Sequence, residues 1–261
     1  MSNDRPLKGH HAIITGGGSG IGAATASALA AQGANLTLMG RTKARLDAHA
    51  ESVAKAHGVE VAAVPCDVAN PASIGEAFRV ARETLGAPYI LVNNAGIADG
   101  APFTETSLTL WERTLAVNLT GTFLCMQQVV PAMIAAKAGR IVNVASLSGL
   151  KAFQTVSAYT ASKHGVVGLT KVVALETAKT GVTVNVVCPA YTDTDMARHA
   201  IETIMKSGKS EDEARKMITR TIPRGTLITP AEVAATIAWL CSADASGVTG
   251  EAIVIGGGAG L

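Results

Sequence analysis

The sequence has few of the residues that build metal sites and disulfides. Only 4 of its 261 residues are cysteine and 3% are aromatic. The cysteines are Cys66, Cys125, Cys188 and Cys241, with no Cys-x-x-Cys pair and no His/Cys ligand spacing among them. We therefore predict that the protein has no metal site and carries four reduced thiols.

Charge and long apolar runs are also scarce. Charged residues make up 16% of the chain, and the formal net charge of +2 is too small to predict a nucleic-acid partner. The first residues lack the apolar core of a secretory signal, and no apolar run approaches the length of a membrane span. The sequence thus predicts a cytoplasmic protein with no membrane partner.

Small and aliphatic residues are abundant: 48% of the chain is hydrophobic and 27 residues are glycine. Apolar runs of β type alternate with segments of helical period, such as Ile21–Gln32 and Ile74–Leu85. The predicted strands are residues 11–15, 35–40, 60–66, 89–93, 140–146, 182–188 and 252–256. This alternation predicts an α/β fold, a doubly wound parallel sheet of about seven strands with helices on both faces. We expect a single domain over residues 1–261.

The stretch from Ile141 to Gly165 carries the residues with the clearest chemistry. Tyr159 and Lys163 are one helical turn apart, so the phenol and the ammonium project from the same face of a helix. Because a nearby cation favours the ionised form of a phenol, we expect a lowered pKa for Tyr159. Ser146, at the end of the preceding strand, can hold the same substrate oxygen by a hydrogen bond. The three residues predict a site that exchanges a proton with an alcohol or a ketone.

A glycine-rich turn, Thr15-Gly-Gly-Gly-Ser-Gly-Ile-Gly22, follows the first predicted strand and opens a helix. Glycines here permit a tight turn and let backbone N–H groups and the helix N-terminus approach a pyrophosphate. The spacing of Gly16, Gly20 and Gly22 is wider than Gly-x-Gly-x-x-Gly. The turn predicts a dinucleotide site, and a turn without a ligand is the alternative.

The end of the second predicted strand indicates which dinucleotide binds. Gly40 is followed by Arg41 and Thr42, where a carboxylate would hold the ribose 2′-hydroxyl of NAD. Arg41 can pair with a 2′-phosphate, and Thr42 can donate a hydroxyl bond to it. NADP(H) is therefore favoured, with NAD(H) or a merely solvated arginine as alternatives.

Three further polar positions each have two interpretations. Asp67 accepts a bond from the adenine amino group or caps the helix that begins near Pro71, and the two roles are compatible. The segment Asn94-Ala95-Gly96 suits close packing against a cofactor, or equally a turn. Asn118, a poor helix former within a helical stretch, either distorts the helix and holds a water near Lys163 or is simply tolerated.

Together these residues resemble the short-chain dehydrogenase/reductase family over essentially the whole chain. The resemblance rests on Thr15-x-x-x-x-Gly20-x-Gly22, Asn93-Asn94-Ala95-Gly96, Asn118, Ser146, Tyr159-x-x-x-Lys163 and Cys188-Pro189. It implies a Rossmann-like fold, a homotetramer and a catalytic tetrad of Asn118, Ser146, Tyr159 and Lys163. It further implies that Lys163 binds the nicotinamide ribose.

The resemblance also implies a set of cofactor contacts. It assigns Asp67 to the adenine, Asn94 to the ribose region, and the backbone after Pro189 to the nicotinamide amide, with a hydroxyl from Thr192 or Thr194. The full set of expected cofactor-binding residues is Gly16, Gly18, Ser19, Gly20, Ile21, Gly22, Arg41, Thr42, Asp67, Val68, Asn94, Ala95, Gly96, Tyr159, Lys163, Pro189, Thr192 and Thr194.

Two branches of the family look most similar, the ketoacyl and polyketide ketoreductases and the 3-hydroxybutyrate dehydrogenases. The second branch grips a small carboxylate with polar side chains, a grip that is missing here because Ala98, Ser148 and Val156 stand at the matching positions. A free short hydroxy acid is therefore disfavoured as substrate. Ala190 stands where the family usually has a glycine after the proline.

A long insert at about residues 193–229 is predicted to form a lid of two helices, the second with a capped start at Ser210–Glu213. Its basic side chains either receive a phosphate-bearing carrier, such as CoA or an acyl-carrier protein, or form a solvated face. They are Arg198, Lys206, Lys209, Arg215, Lys216, Arg220 and Arg224. Four apolar side chains either line a pocket for a nonpolar acyl or cyclic group or belong to the core: Leu147, Phe153, Tyr191 and Met196.

These observations predict an NADP(H)-dependent oxidoreductase that interconverts a ketone and a secondary alcohol. A 3-oxoacyl thioester is the leading substrate, and a cyclic or aromatic ketone is the second. An NAD-dependent alcohol or hydroxyacyl dehydrogenase is an alternative, as is a dinucleotide-sensing regulator, which would need the glycine turn but not Tyr159 and Lys163. Candidate subunit contacts are the helices around 118–136 and 156–178, with Trp239 and the last strand; the alternative is that the Ala/Val-rich faces of these helices belong to the core.

Overall fold

A parallel sheet of seven strands lies at the centre of the computed structural model, which describes residues 5–260. The strands are β1 (His11–Thr15), β2 (Asn35–Gly40), β3 (Val61–Pro65), β4 (Ile90–Asn93), β5 (Gly139–Val144), β6 (Val182–Pro189) and β7 (Ala252–Ile255). Their order across the sheet is β3-β2-β1-β4-β5-β6-β7, with all neighbours parallel. The predicted fold class is confirmed.

Helices connect successive strands and cover both faces of the sheet. They are α1 (Gly20–Ala31), α2 (Lys43–His57), α3 (Pro71–Leu85), α4 (Leu108–Leu115), α5 (Gly121–Ala136), α6 (Ser157–Thr177), α7 (Asp195–Met205), α8 (Glu211–Thr219) and α9 (Pro230–Cys241). A π-helical turn, Ala116–Thr120, joins α4 to α5.

The core consists of two layers because successive strand residues point to opposite faces. In β1, Ile14 packs into a layer with Leu29 of α1 and Ile237 of α9. Its neighbour Ile13 packs into the other layer, which holds residues of α3, α5 and α6, such as Phe78. Strands buried on both faces therefore read as continuous apolar runs, the pattern from which they were predicted.

The strand boundaries match the prediction at β1 and β2 and differ by one or two residues elsewhere. The difference that matters is in β5, which ends at Val144 and leaves Ser146 beyond the strand. The hydroxyl of Ser146 accepts a bond from the backbone N–H of Ser148, which starts a short 3-10 turn, Leu147–Gly149. The last backbone bond to β6 comes from the N–H of Ala145, which donates to Val187, and the local bond to Ser146 follows directly after it.

The continuous helical segment from Leu108 to Ala136 is long and apolar enough, by length and composition alone, to cross a membrane. One side of this segment packs in the core through Cys125, Val129 and Met133 of α5, as in a layer helix of an α/β fold. Its outer side exposes Phe123. The segment is therefore a layer helix of the α/β fold whose outer side also carries exposed apolar side chains, Phe123 and Ile134.

The insert between β6 and α9 contains two helices, α7 and α8, as predicted. Ser210 and Glu213 form a reciprocal capping box at the start of α8. Three buried residues of the pair, Ile201, Ala214 and Ile218, form a small cluster separate from the two main layers. The pair thus carries its own modest core.

Candidate active site

A groove lies at the carboxyl ends of the strands, at the point where the order of the strands along the sheet reverses. From β1 the chain runs outward through β2 and β3, and it then returns to β4 on the other side of β1. Ligands of open parallel sheets bind at such a switch point. The groove is open to solvent on one side and has a volume of about 230 Å³. It is lined by Gly16, Gly18, Ser19, Gly40, Arg41, Thr42, Arg45, Leu46, Cys66, Asp67, Val68, Ala95, Gly96, Ile97 and Val117.

The glycine-rich turn forms one wall of the groove and requires glycine for two separate reasons. Gly16 and Gly20 have φ values of +65° and +53°, in the left-handed region that side chains disfavour. A side chain at Gly22 would collide with the carbonyl oxygen of Gly16, so the turn closes tightly onto the first helix. The turn therefore presents bare backbone to the groove.

The first turn of α1 has backbone N–H groups that its N-cap side chain does not bond. Ser19 is the N-cap residue, but its side chain makes no capping bond. A helix start with free N–H groups and a positive dipole end suits an anion such as a pyrophosphate. The glycine cradle and this uncapped helix therefore fit the dinucleotide that the sequence predicts.

Asn94 supports the turn and does not line the groove. Its amide nitrogen donates to the carbonyl oxygens of Thr15 at 3.0 Å and Gly16 at 3.1 Å. The side chain thus ties the end of β4 to the turn after β1. The neighbouring Ala95 and Gly96 do face the groove.

The far rim of the groove is basic. Arg41 and Thr42 line it after β2, and Arg45 lies one turn further along, in the first turn of α2. Within the described residues 5–260, Arg41 has no ion-pair partner, and the side chain of Thr42 does not cap α2. Sequence reasoning missed Arg45, which is four residues beyond Arg41 but lies on α2, whereas Arg41 precedes the helix.

Asp67 and Val68 line the groove after β3. The alternative that Asp67 caps the following helix is wrong, because Asn70 accepts the N–H bonds of Ala72 and Ser73 at the start of α3. Asp67 instead accepts a bond from the N–H of Ala69 at 3.0 Å. That local turn fixes its carboxylate at the groove wall.

Tyr159 lies in α6 beside Ser146. Burial raises the pKa of the Tyr159 phenol, and a hydrogen bond from Ser146 opposes that rise. The expectation of a lowered pKa for Tyr159 is therefore wrong in this structure. Lys163 Nζ lies 5.6 Å from the centre of the Tyr159 ring and donates at 2.8 Å to the carbonyl oxygen of Val144. The backbone acceptor, rather than the phenol, holds the ammonium.

Lys163 is nearly buried, with 4% of its surface exposed. Burial lowers its pKa from the usual 10.5 to about 8, because the charged form loses water. A side chain at Gly96 would lie 3.5 Å from Lys163 Nζ and 3.2 Å from Asn118 Oδ1. Gly96 thus connects the groove with both polar side chains.

Asn118 occupies the π-helical turn, which agrees with the predicted distortion. Its side-chain oxygen accepts from the N–H of Ile97 at 2.9 Å, and its amide donates to the carbonyl oxygen of Ile97 and to Ser162 Oγ. Ser162 in turn donates to the backbone oxygen of Tyr159 at 2.7 Å. Ser162, which sequence reasoning missed, thus links the π turn to the helix of Tyr159.

The residues after β6 close the other end of the site. Thr192 is buried and donates to the carbonyl oxygen of Ala190 at 3.0 Å. Thr194 caps α7 only by its backbone, and its methyl group lies against Gly20 of the glycine turn. Before Pro189, the Cys188 side chain contacts the backbone of Ser146, and burial raises the pKa of this thiol to about 11. The Cys188 thiol is therefore neutral where it contacts the backbone of Ser146.

The structure divides the expected cofactor residues into two sets. The residues that line the groove are Gly16, Gly18, Ser19, Arg41, Thr42, Asp67, Val68, Ala95 and Gly96. The expected residues that are not among those lining the groove are Gly20, Ile21, Gly22, Asn94, Tyr159, Lys163, Pro189, Thr192 and Thr194. Among the lining residues, sequence reasoning missed Gly40, Arg45, Leu46, Cys66, Ile97 and Val117.

Known proteins share this architecture over nearly their full lengths. The profile of a family described as enoyl-(acyl carrier protein) reductase matches residues 16–260. A ketoacyl reductase assigned to the granaticin polyketide synthase of Streptomyces violaceoruber is 42% identical over 252 residues, covering 95% of this chain and 92% of the relative. A D-beta-hydroxybutyrate dehydrogenase of Cupriavidus necator is 40% identical over 255 residues, covering 97% and 98%.

A solved structure gives the same result in three dimensions. The crystal structure of a variant of actinorhodin polyketide ketoreductase with NADPH superimposes with a TM-score of 0.91 at 36% sequence identity. The match covers 96% of this chain and 97% of that protein. Both similar branches anticipated from the sequence are thus represented among the relatives.

Proposed function

Because the chain belongs to the short-chain dehydrogenase/reductase family, we propose that it interconverts a ketone and a secondary alcohol with NADP(H) in preference to NAD(H). The reaction class and the use of NAD(P) follow from family membership. The preference for the phosphorylated cofactor is the finer step. It is supported by one observation, the basic rim at Arg41 and Thr42 with no carboxylate there to hold a 2′-hydroxyl.

The groove supplies a holder for each part of the cofactor. The glycine turn and the N-terminus of α1 suit the pyrophosphate, Arg41 and Thr42 suit the 2′-phosphate, and Asp67 suits the adenine amino group. Lys163 and the backbone after Pro189 are assigned to the nicotinamide half. When bound, the nicotinamide supplies or accepts the hydride.

The protein's own residues handle the proton. Tyr159 is the proposed acid and base, and its raised pKa keeps the phenol protonated at neutral pH, ready to donate to a carbonyl oxygen. Ser146 bonds Tyr159 and orients the same oxygen. Lys163 holds the end of β5 and supplies positive charge, and Asn118 holds the π turn behind it.

The first experiment is a fluorescence titration of NADPH and NADH against the intact chain and Arg41→Ala. We expect tighter binding of NADPH, with the advantage lost in the variant. Equal binding of the two cofactors by the intact chain would contradict the preference. Tight NADPH binding without turnover of any ketone would instead favour the dinucleotide-sensing regulator.

For the substrate we propose a 3-oxoacyl thioester, with a cyclic or aromatic ketone as the second candidate. Tyr191, which follows β6, and Met196, in the first turn of α7, expose apolar surface that suits a nonpolar acyl group. Several basic side chains of the proposed lid, residues 193–229, pair with acids, as Arg215 does with Glu211 at 2.9 Å. Within residues 5–260, Lys206 and Lys209 pair with none, so they remain available for a carrier phosphate.

A pair of thioesters tests this assignment. We expect a 3-oxoacyl-CoA to have a lower KM than the same acyl group on N-acetylcysteamine, and Lys206→Ala with Lys209→Ala to remove the difference. The acyl pocket is tested separately with a cyclic ketone. Faster turnover of the cyclic ketone than of either thioester would reverse the ranking of the two candidates.

We also propose that the chain works as a single-domain subunit of a cytoplasmic homotetramer. The outer faces of α5 and α6 expose Phe123, Val172 and Leu175, and α9 exposes Trp239. Such apolar faces on a soluble enzyme suit burial against other subunits. Sedimentation equilibrium measures the assembly directly, and a monomer at micromolar concentration would contradict it.

A further inference from the structure

The basic rim of the groove contains a second arginine whose position is fixed by the glycine turn. The backbone and Cβ of Arg45 lie 3.6 Å from the position of a Cβ at Gly18. Arg45 lines the same groove as Arg41 and Thr42. Two guanidinium groups therefore border the place assigned to the 2′-phosphate.

Arg45 also contacts the start of α7, the first helix of the proposed lid. Its Nη1 lies 3.5 Å from Oδ2 of Asp195, the first residue of α7. The other oxygen of Asp195 lies 3.3 Å from Arg198 Nη2. Just before Asp195, Thr194 packs against Gly20 of the glycine turn. The first turns of α2 and α7 thus meet above the groove through one ion pair.

This ion pair is weak enough to be replaced. The side chains of Arg45 and Asp195 are 65% and 60% exposed. Exposed pairs contribute only about 0.2–1 kcal/mol. A phosphate monoester carries a charge of about −1.5 to −2 and three acceptor oxygens, so it competes well against a single carboxylate.

We propose that Arg45 is a second ligand of the cofactor's 2′-phosphate and that it gives up Asp195 to bind it. This inference rests on the proposed preference for NADP(H). Asp195 keeps Arg198 as its partner after the exchange. The phosphate therefore disconnects α7 from α2, whereas a cofactor with a 2′-hydroxyl leaves the two helices joined.

The proposal predicts effects of opposite sign for the two partners. Removing Arg45 takes away a phosphate ligand and weakens binding. Removing the charge of Asp195 takes away the competitor, as well as a negative charge near the phosphate, and so strengthens binding. A merely structural ion pair would give both variants the same sign, because each would loosen the same contact.

Calorimetric titration with 2′,5′-ADP and ADP isolates the 2′-phosphate. For Arg45→Ala we expect about a tenfold or greater loss of affinity for 2′,5′-ADP, the scale of a charged hydrogen bond. For Asp195→Asn we expect about a two- to fivefold gain, the scale of an exposed pair. ADP should change less than twofold in either variant. Lys43→Ala is the matched control, since Lys43 is a neighbouring cation on α2 that pairs with Asp47 and does not line the groove.

Hydrogen exchange gives a second readout that does not depend on activity. In the intact chain, 2′,5′-ADP should speed amide exchange in the first turns of α7 relative to ADP, and Arg45→Ala should remove that difference. Equal losses for both nucleotides in Arg45→Ala, or weaker 2′,5′-ADP binding by Asp195→Asn, would overturn the exchange.

The same titrations separate this proposal from the proposed function. If Arg41→Ala loses the preference for 2′,5′-ADP while Arg45→Ala keeps it, only the role of Arg45 fails. If the intact chain binds ADP as tightly as 2′,5′-ADP, the NADP preference itself fails.

Discussion

Three helices that start at or beside the groove and four helices that start elsewhere differ in how their first turns are satisfied. At the groove, α1, α2 and α7 begin after Ser19, Thr42 and Thr194, and none of these hydroxyls caps its helix. Away from it, α3, α4, α8 and α9 begin after residues whose side chains all do so: Asn70, Ser107, Ser210 and Thr229.

The residue types are alike in the two groups, so the difference comes from where each helix starts. A capped first turn contributes to stability, whereas an uncapped turn keeps its donors for a ligand. The groove therefore gives up local stability for binding capacity. Four tests, some with a matched control variant, probe the groove and this contrast, from the largest expected effect to the smallest.

Tyr159→Phe tests the contrast at the point of chemistry. The variant removes only the hydroxyl that exchanges the proton, and we expect kcat to fall by about 10²–10⁴-fold. Because the phenyl ring remains, the NADPH dissociation constant should stay within about twofold, as measured by fluorescence titration. Near-normal turnover would exclude Tyr159 as the acid and base.

Gly22→Ala tests whether the glycine turn tolerates a side chain at this position. The added methyl group collides with the carbonyl oxygen of Gly16, so the turn must open. We expect a loss of about 1–3 kcal/mol in stability, typical of overpacking, together with loss of measurable cofactor binding.

Gly75→Ala is the matched control for this change. Gly75 lies inside α3, where an added Cβ meets nothing within 4 Å. The variant should be more stable by about 0.5–1 kcal/mol, because alanine is the better helix former. Chemical denaturation measures both variants, and similar destabilisation of the two would contradict the contrast.

Lys163→Met tests the cost of holding an unpaired cation behind the groove. Between pH 8 and 10.5 the unfolded lysine binds a proton that the folded one does not, so the contribution of Lys163 to stability rises with pH across this window. The cost of burying the charge is present in full below pH 8, and its relief amounts to at most about 3 kcal/mol. Urea denaturation of both proteins isolates this contribution: between pH 8 and 10.5 the stability of the intact chain should rise by that amount relative to Lys163→Met, because the buried thiols and phenols are common to both proteins.

Paired cap variants test the contrast most directly. Thr229→Ala, at the capping box of α9, should lose about 1 kcal/mol of stability and bind cofactor normally. Ser19→Ala should change stability by less than about 0.5 kcal/mol and should weaken cofactor binding several-fold. Equal stability losses in the two variants would show that both helix starts are capped alike.

The sequence was sufficient for the elements that depend on local pattern. Apolar runs gave β1 and β2 to the residue, and the start of α8 was visible in Ser210 and Glu213. The glycine turn was readable because no other residue satisfies its backbone. Patterns of this kind involve neighbours in the chain, which a sequence displays directly.

Other features depended on contacts that the sequence does not display. Burial raises the pKa of Tyr159, and the ammonium of Lys163 donates to the carbonyl oxygen of Val144 rather than to the phenol. Asp67 lost its capping role to Asn70, only three residues away. In the first case the phenol and a carbonyl oxygen are both possible partners of Lys163, and in the second Asp67 and Asn70 are both possible caps of α3. The folded geometry selects between them.

By itself, then, the sequence determined the doubly wound sheet, the bare glycine turn and the identity of the polar groups at its edge, because period and residue type specify these locally. Only the tertiary structure decided which groups face the groove and which are already satisfied. Arg45 meets Asp195, and Ser162 joins Asn118, across long stretches of chain. Such pairings arise when separate elements pack together, and packing sets both their distances and their exposure to water.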